Sequence, residues 1–78
     1  MSTCCVVGLG YIGLPTAAVL ARAGHRVIGV DVVKQVVDTV NLGKIHIVEP
    51  DLEQVVADCV ASGDLRAQLT PVPADVFL

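Results

Sequence analysis

Residues 6–15 read Val6-Val7-Gly8-Leu9-Gly10-Tyr11-Ile12-Gly13-Leu14-Pro15. Three glycines and a proline stand here in an apolar stretch, although both residue types weaken helices and strands. The flanking residues explain the choice. Thr3 to Val7 is a short run rich in Cys and Val that reads as a buried strand. Ile12 to Ala23 carries the helix formers Ala17, Ala18, Leu20 and Ala21, with Pro15 in the first turn, where a missing N–H costs little. Gly24 is a stop signal. Arg26 to Val30 is β-branched, runs into Asp31, and reads as a second strand. Strand, glycine turn, helix and strand within about thirty residues have the length of a βαβ unit.

In that setting Gly8-Leu9-Gly10-Tyr11-Ile12-Gly13 fits G-x-G-x-x-G, and each glycine has its own task. Gly8 allows the tight turn off the strand. Gly10, without a Cβ, lets a pyrophosphate approach the backbone. Gly13 lets the helix pack closely on the strand. The free N–H groups near Tyr11 and Ile12 face the phosphate, and the helix dipole favours its charge. A tight turn that binds nothing would show the same hexapeptide. Asp31 separates the two cases, because an acidic residue at the end of the second strand accepts from the adenosine ribose of NAD and repels the 2′-phosphate of NADP. As a mere helix cap or loop charge, Asp31 would have no such partner.

The rest of the chain continues the pattern. Val32 to Leu42 has Val33, Val36, Val37 and Val40 at helical spacing and is ended by Gly43. Lys44 to Pro50 is a loop. Asp51 is expected to cap a third helix that runs to about Ser62, with Leu52, Val55, Val56 and Cys59 on one face and Gly63 at its end. Leu65 to Thr70 is a candidate third strand, and Pro71 and Pro73 lead into a fourth that begins near Ala74. The fold class is α/β: the N-terminal part of a Rossmann-like parallel sheet, three strands plus the start of a fourth, with three helices. The expected strand order is 3-2-1-4, with the glycine-turn end of the first strand poorly covered and apt to aggregate.

Composition narrows the function. The chain has 78 residues, at most one small domain, and 54% of them are apolar. That much Val, Ile and Leu suits strands buried on both faces and suggests part of something larger. A net charge of −3, no basic cluster and a single Tyr and Phe argue against nucleic acid. Cys4 to Ala21 is uncharged, but its glycines and proline, and the lack of a preceding Lys or Arg, argue against a membrane span or signal peptide. A cytoplasmic location is expected. Cys4, Cys5 and Cys59 lack metal-ligand spacing and read as buried thiols, none of them a nucleophile. His25 reads as structural, His46 and Glu49 as loop residues, and Lys34 as solvated.

The segments "GLGYIGLPTA", "VIGVD" and above all "IHIVEPDLEQVV" resemble the UDP-glucose/GDP-mannose dehydrogenase family of nucleotide-sugar dehydrogenases across nearly all of the chain. The branch that oxidises N-acetylmannosamine nucleotides is the nearest likeness. The resemblance implies NAD as cofactor, a nucleotide sugar as substrate, and oxidation of a C6 hydroxyl to a carboxylate in two hydride transfers through a thiohemiacetal on a cysteine. It implies a homo-oligomer that serves bacterial surface polysaccharide synthesis. Residues 1–78 would then be an incomplete NAD-binding domain, inactive alone, with the catalytic residues and the central and C-terminal domains outside it. Gly8, Gly10, Tyr11, Ile12, Gly13 and Asp31 would hold the cofactor. Two other readings share the opening motif. A hydroxyacid dehydrogenase of the 3-hydroxyisobutyrate type often carries Asn-Arg where this chain has Asp31, and lacks the long insertion Lys44 to Gly63. A non-catalytic NAD-sensing module would need no catalytic cysteine.

Overall fold

The computed structural model describes residues 2–78; Met1, within the expected domain range, lies outside them. The opening unit forms as the sequence implies: β1 (Thr3–Val7), α1 (Gly13–Arg22) and β2 (Arg26–Val30). After it come α2 (Lys34–Asn41), α3 (Leu52–Ser62), β3 (Leu65–Gln68) and β4 (Val76–Phe77). The four strands make one sheet in the order β3-β2-β1-β4. Every pairing is parallel, with Thr3 opposite Arg26 and Val7 opposite Val30.

All three helices lie over one face of this sheet. Leu14, Ala17, Ala18 and Ala21 of α1, Val37 and Val40 of α2, and Leu52, Val56 and Cys59 of α3 pack with Cys4, Val6, Val27, Leu65 and Ala67. The alanines keep α1 close to the strands. The other face is covered differently. Cys5, Ile28 and Val30 are buried beneath Val72 and Ala74, so the short connection between β3 and β4 does the work of a covering layer. Alternation along β1 therefore sends Cys4 and Cys5 to opposite faces, both buried.

Three expectations change in detail. Asp51 does not cap α3 with its side chain. Its backbone is left-handed, with φ of 64°, and no side-chain bond reaches the helix. It follows Pro50 in a turn closed by the Leu52 amide donating to the Glu49 carbonyl (3.3 Å). Aspartate tolerates that conformation better than most residues. The third strand stops at Gln68, not Thr70. The glycine-turn end of β1 is also covered, because the Val7 amide donates to the Leu78 carbonyl at 2.8 Å. The unpaired edge belongs to β4 instead, where Val76 and Phe77 are exposed.

At the opposite edge, the Asn41 side chain completes β3. Its Nδ2 donates to the Ala67 carbonyl (2.9 Å), and its Oδ1 accepts from the Ala67 amide (2.8 Å). One amide thus satisfies both backbone groups that a neighbouring strand would have used. Asn41→Ala is expected to lower stability by about 1–3 kcal/mol, since it orphans a partly buried donor and acceptor. Urea unfolding measures the loss; an unchanged midpoint would mean that water replaces the side chain at no cost.

Candidate cofactor site

The glycine turn sits where β1 ends and α1 begins, and it is held from three sides. The Gly8 amide donates to the Val30 carbonyl (2.7 Å), fixing the turn to the end of β2. Gly8 then takes φ of 92°, which a side chain would resist. The Leu9 amide donates to Asp31 Oδ2 at 3.0 Å. Beyond this, the chain enters α1, and the Leu14 amide donates to the Gly10 carbonyl (3.1 Å).

The other two glycines have unlike surroundings. A Cβ on Gly13 would overlap the carbonyl oxygen of Gly8 and come within 2.8 Å of its carbonyl carbon. The helix start can cross β1 this closely only with glycine there. A Cβ on Gly10 would meet nothing within 4 Å, and Gly10 has no left-handed backbone. Nothing in the chain itself calls for glycine at Gly10.

Around that open space, the amides of Gly10, Tyr11, Ile12 and Gly13 donate to no protein acceptor among the described residues. They form the N-terminal end of α1, whose Ile12 makes no side-chain cap and whose first turn holds no acidic residue. Unpaired donors with the positive end of a helix dipole behind them suit an anion. Tyr11 and Ile12 are 68% and 83% exposed, so both stand at the surface of this turn.

Asp31 lies beside the turn in a cleft of about 150 Å³ lined by Val7, Gly8, Val30, Asp31 and Val32. Its Oδ1 accepts from the Val33 amide (3.0 Å), an Asx turn that starts α2, while its Oδ2 holds Leu9. It is therefore both the anchor of a helix start and a tie to the glycine turn. A carboxylate has about four acceptor sites, so two bonds leave capacity for hydroxyl donors. The Leu9 amide first, and the Val33 amide second, hold its carboxyl below the ordinary carboxylate range, with burial opposing and the charge of His46 adding a little. A group depressed on folding contributes above its unfolded pKa and loses that contribution as pH falls through its folded pKa. Asp31 is therefore ionised throughout the neutral range.

The remaining candidates stand apart. Glu49 lines hollows next to α3 rather than the cleft at Asp31. Lys34 pairs with Asp38 across one turn of α2 (2.7 Å), where both side chains are mostly exposed. His25 Nδ1 accepts from the Ser2 amide (3.3 Å), a tie between the β2 entrance and the start of the chain. Cys59 is buried, and burial first, then Asp64 and Asp58, push its thiol up, the reverse of an activated nucleophile. Sequence reasoning missed Leu9 and Gly29. Leu9 is fully buried between two exposed glycines, and a Cβ on Gly29 would stand 2.8 Å from Leu9 Cδ2. A glycine inside a strand is the signal of such a close approach.

The free amides, the open space at Gly10 and the spare acceptors of Asp31 could hold a dinucleotide. Comparison with known proteins agrees. Residues 2–78 match the model of the UDP-glucose/GDP-mannose dehydrogenase family, NAD binding domain. The chain is 60% identical over 76 residues to an NDP-N-acetyl-D-galactosaminuronic acid dehydrogenase of Ralstonia nicotianae, covering 97% of this chain and 18% of that protein. It is 58% identical over 77 residues to the UDP-N-acetyl-D-mannosamine dehydrogenase of Escherichia coli, covering 99% of this chain and 18% of that protein. The solved UDP-N-acetyl-mannosamine dehydrogenase of Staphylococcus aureus superposes with a TM-score of 0.94 at 46% identity, over 97% of this chain and 18% of that one. The chain thus spans about 18% of the length of the curated relatives it matches. No helix among the described residues is long and apolar enough to cross a membrane. By the length of the match and the agreement in fold, the chain belongs to the UDP-glucose/GDP-mannose dehydrogenase family, within its NAD-binding domain.

Proposed function

We propose that this chain is the N-terminal, NAD-holding part of a longer nucleotide-sugar 6-dehydrogenase, and that Gly8, Gly10, Tyr11, Ile12, Gly13 and Asp31 hold the cofactor. The observation that carries this reading is Gly10, a glycine with open space around it and no backbone need for it. In the proposed arrangement the amides at the start of α1 donate to the pyrophosphate, and Gly10 leaves room for it. Asp31 accepts from the adenosine ribose with the oxygen capacity that Leu9 and Val33 leave free. NAD, when bound, supplies a hydride acceptor. The overall reaction takes a sugar primary alcohol, water and two NAD to a carboxylate, two NADH and three protons. The sugar assigned is UDP-N-acetyl-mannosamine, supported by the names of the Escherichia coli and Staphylococcus aureus relatives. Location in the cytoplasm and self-association belong to the same reading.

The test is a pair of cofactor titrations on the full-length protein. NAD is expected to bind more tightly than NADP. Asp31→Ala is expected to weaken NAD by about 1.5–3 kcal/mol, roughly ten- to a hundredfold, and to narrow the preference. With Asp31 held ionised, NAD affinity should stay level from neutral pH down to the ordinary carboxylate range and fall only below it. Equal affinity of the parent for both cofactors would overturn the role of Asp31. Turnover of UDP-N-acetyl-galactosamine in preference to the mannosamine would overturn the sugar.

A further inference from the structure

Leu9 lies in the glycine turn between two exposed residues, yet its side chain is fully buried. It enters the helix-covered face of the sheet and joins the core around Val6 and Ala67. Those two residues flank Gly29 in register on either side of β2. A Cβ on Gly29 would stand 2.8 and 2.9 Å from the two methyl carbons of Leu9. Gly29 is thus a notch in an otherwise branched strand, and Leu9 is the knob that fills it. The same residue donates its amide to Asp31 Oδ2 at 3.0 Å. Asp31 is two residues beyond Gly29, so the notch, the strand end and the carboxylate form one short rigid piece.

We propose that Leu9 and Gly29 are a positioning pair, in which the seated side chain sets the turn so that the Leu9 amide holds the Asp31 carboxylate where it selects an unphosphorylated ribose. The selection clause rests on the ribose role given to Asp31 above; the coupling of notch to carboxylate does not. Neither residue touches the cofactor. The physical basis is that a side chain in a close-packed core locates its own backbone, and a charge-assisted hydrogen bond then passes that location to the carboxylate.

The test uses the full-length protein with Gly29→Ala, Leu9→Val and the two together. The alanine methyl fills the notch, and the shorter valine makes room for it, so the double variant nearly conserves volume. Two readouts are taken: the Leu9 N to Asp31 Oδ2 distance in crystal structures, and NAD and NADP dissociation constants by calorimetry. In Gly29→Ala the bond is expected to open, with NAD affinity falling roughly tenfold and the NAD-to-NADP ratio shrinking. The double variant should recover both. An intact bond with unchanged affinities in folded Gly29→Ala overturns the proposal, as does lost affinity with the bond intact. An open bond with unchanged NAD affinity supports the coupling and overturns the ribose role of Asp31. If Gly29→Ala does not fold, Leu9→Val decides, because a loosened knob should also lengthen the bond and shrink the ratio; an unchanged bond and ratio there overturns the proposal.

Discussion

Replacing Gly10 by valine is expected to leave the full-length protein folded and to remove NAD binding, a loss of roughly a hundred- to ten-thousandfold. Glycine is retained in proteins for three physical reasons: a left-handed backbone, a close neighbour in the chain, or a close neighbour outside it. Gly8 shows the first, with φ of 92°, and Gly13 the second, against the Gly8 carbonyl. Gly10 shows neither. A side chain there meets open space in the free protein, and in the proposed arrangement it would meet the pyrophosphate of the bound cofactor. Displacing the phosphate from two amide donors forfeits about 1.5–3 kcal/mol each, which gives the stated range. Calorimetric titration of NAD, with circular dichroism and melting to show that the variant is folded, decides the matter. Binding within threefold of the parent would put the phosphate somewhere other than this turn.

The regular elements were legible from the residues alone. Apolar and β-branched runs marked β1 and β2, helix formers marked α1, and apolar spacing marked α2 and α3. The glycine turn with Asp31 about twenty residues on marked the site proposed for the cofactor. What escaped depends on contacts between residues far apart in sequence. Asn41 reads as one more polar residue at a helix end until Ala67 is found beside it, 26 positions away. Leu9 occupies an "x" of the glycine motif and reads as free to vary; only the folded sheet brings Gly29 beneath it. Asp51 shows a different failure. A side chain that so often caps helices was read as a cap, yet Pro50 before it and the Glu49–Leu52 bond make it a turn residue. Local propensity named the position correctly and the conformation wrongly, because a turn and a cap draw on the same small polar side chains.

Gly13→Ala should be the most damaging small substitution in the chain, lowering stability by at least about 3 kcal/mol. Alanine is the better helix former by about 1 kcal/mol, so propensity alone predicts the opposite sign. Packing decides the outcome. The added methyl would overlap the Gly8 carbonyl oxygen, a backbone atom that cannot swing aside as a side-chain end would. The peptide plane that carries this carbonyl also carries the Leu9 N–H, because the amide is planar. Rotating the oxygen away therefore turns the Leu9 N–H out of its 3.0 Å bond to Asp31. Sliding the turn bodily instead strains the Gly8 amide, bonded to the Val30 carbonyl at 2.7 Å. The remaining escape is to lift the start of α1 from β1, which exposes Leu14, a fully buried core residue. Each route loses a backbone bond or core contact, so the variant should unfold at lower denaturant and bind NAD less well even where it is folded. The contrast with Gly10 is the sharper test: Gly10→Ala should melt with the parent, and Gly13→Ala well below it. Coincident melting curves for the two variants would mean that α1 and β1 are not packed as closely as this crossing requires.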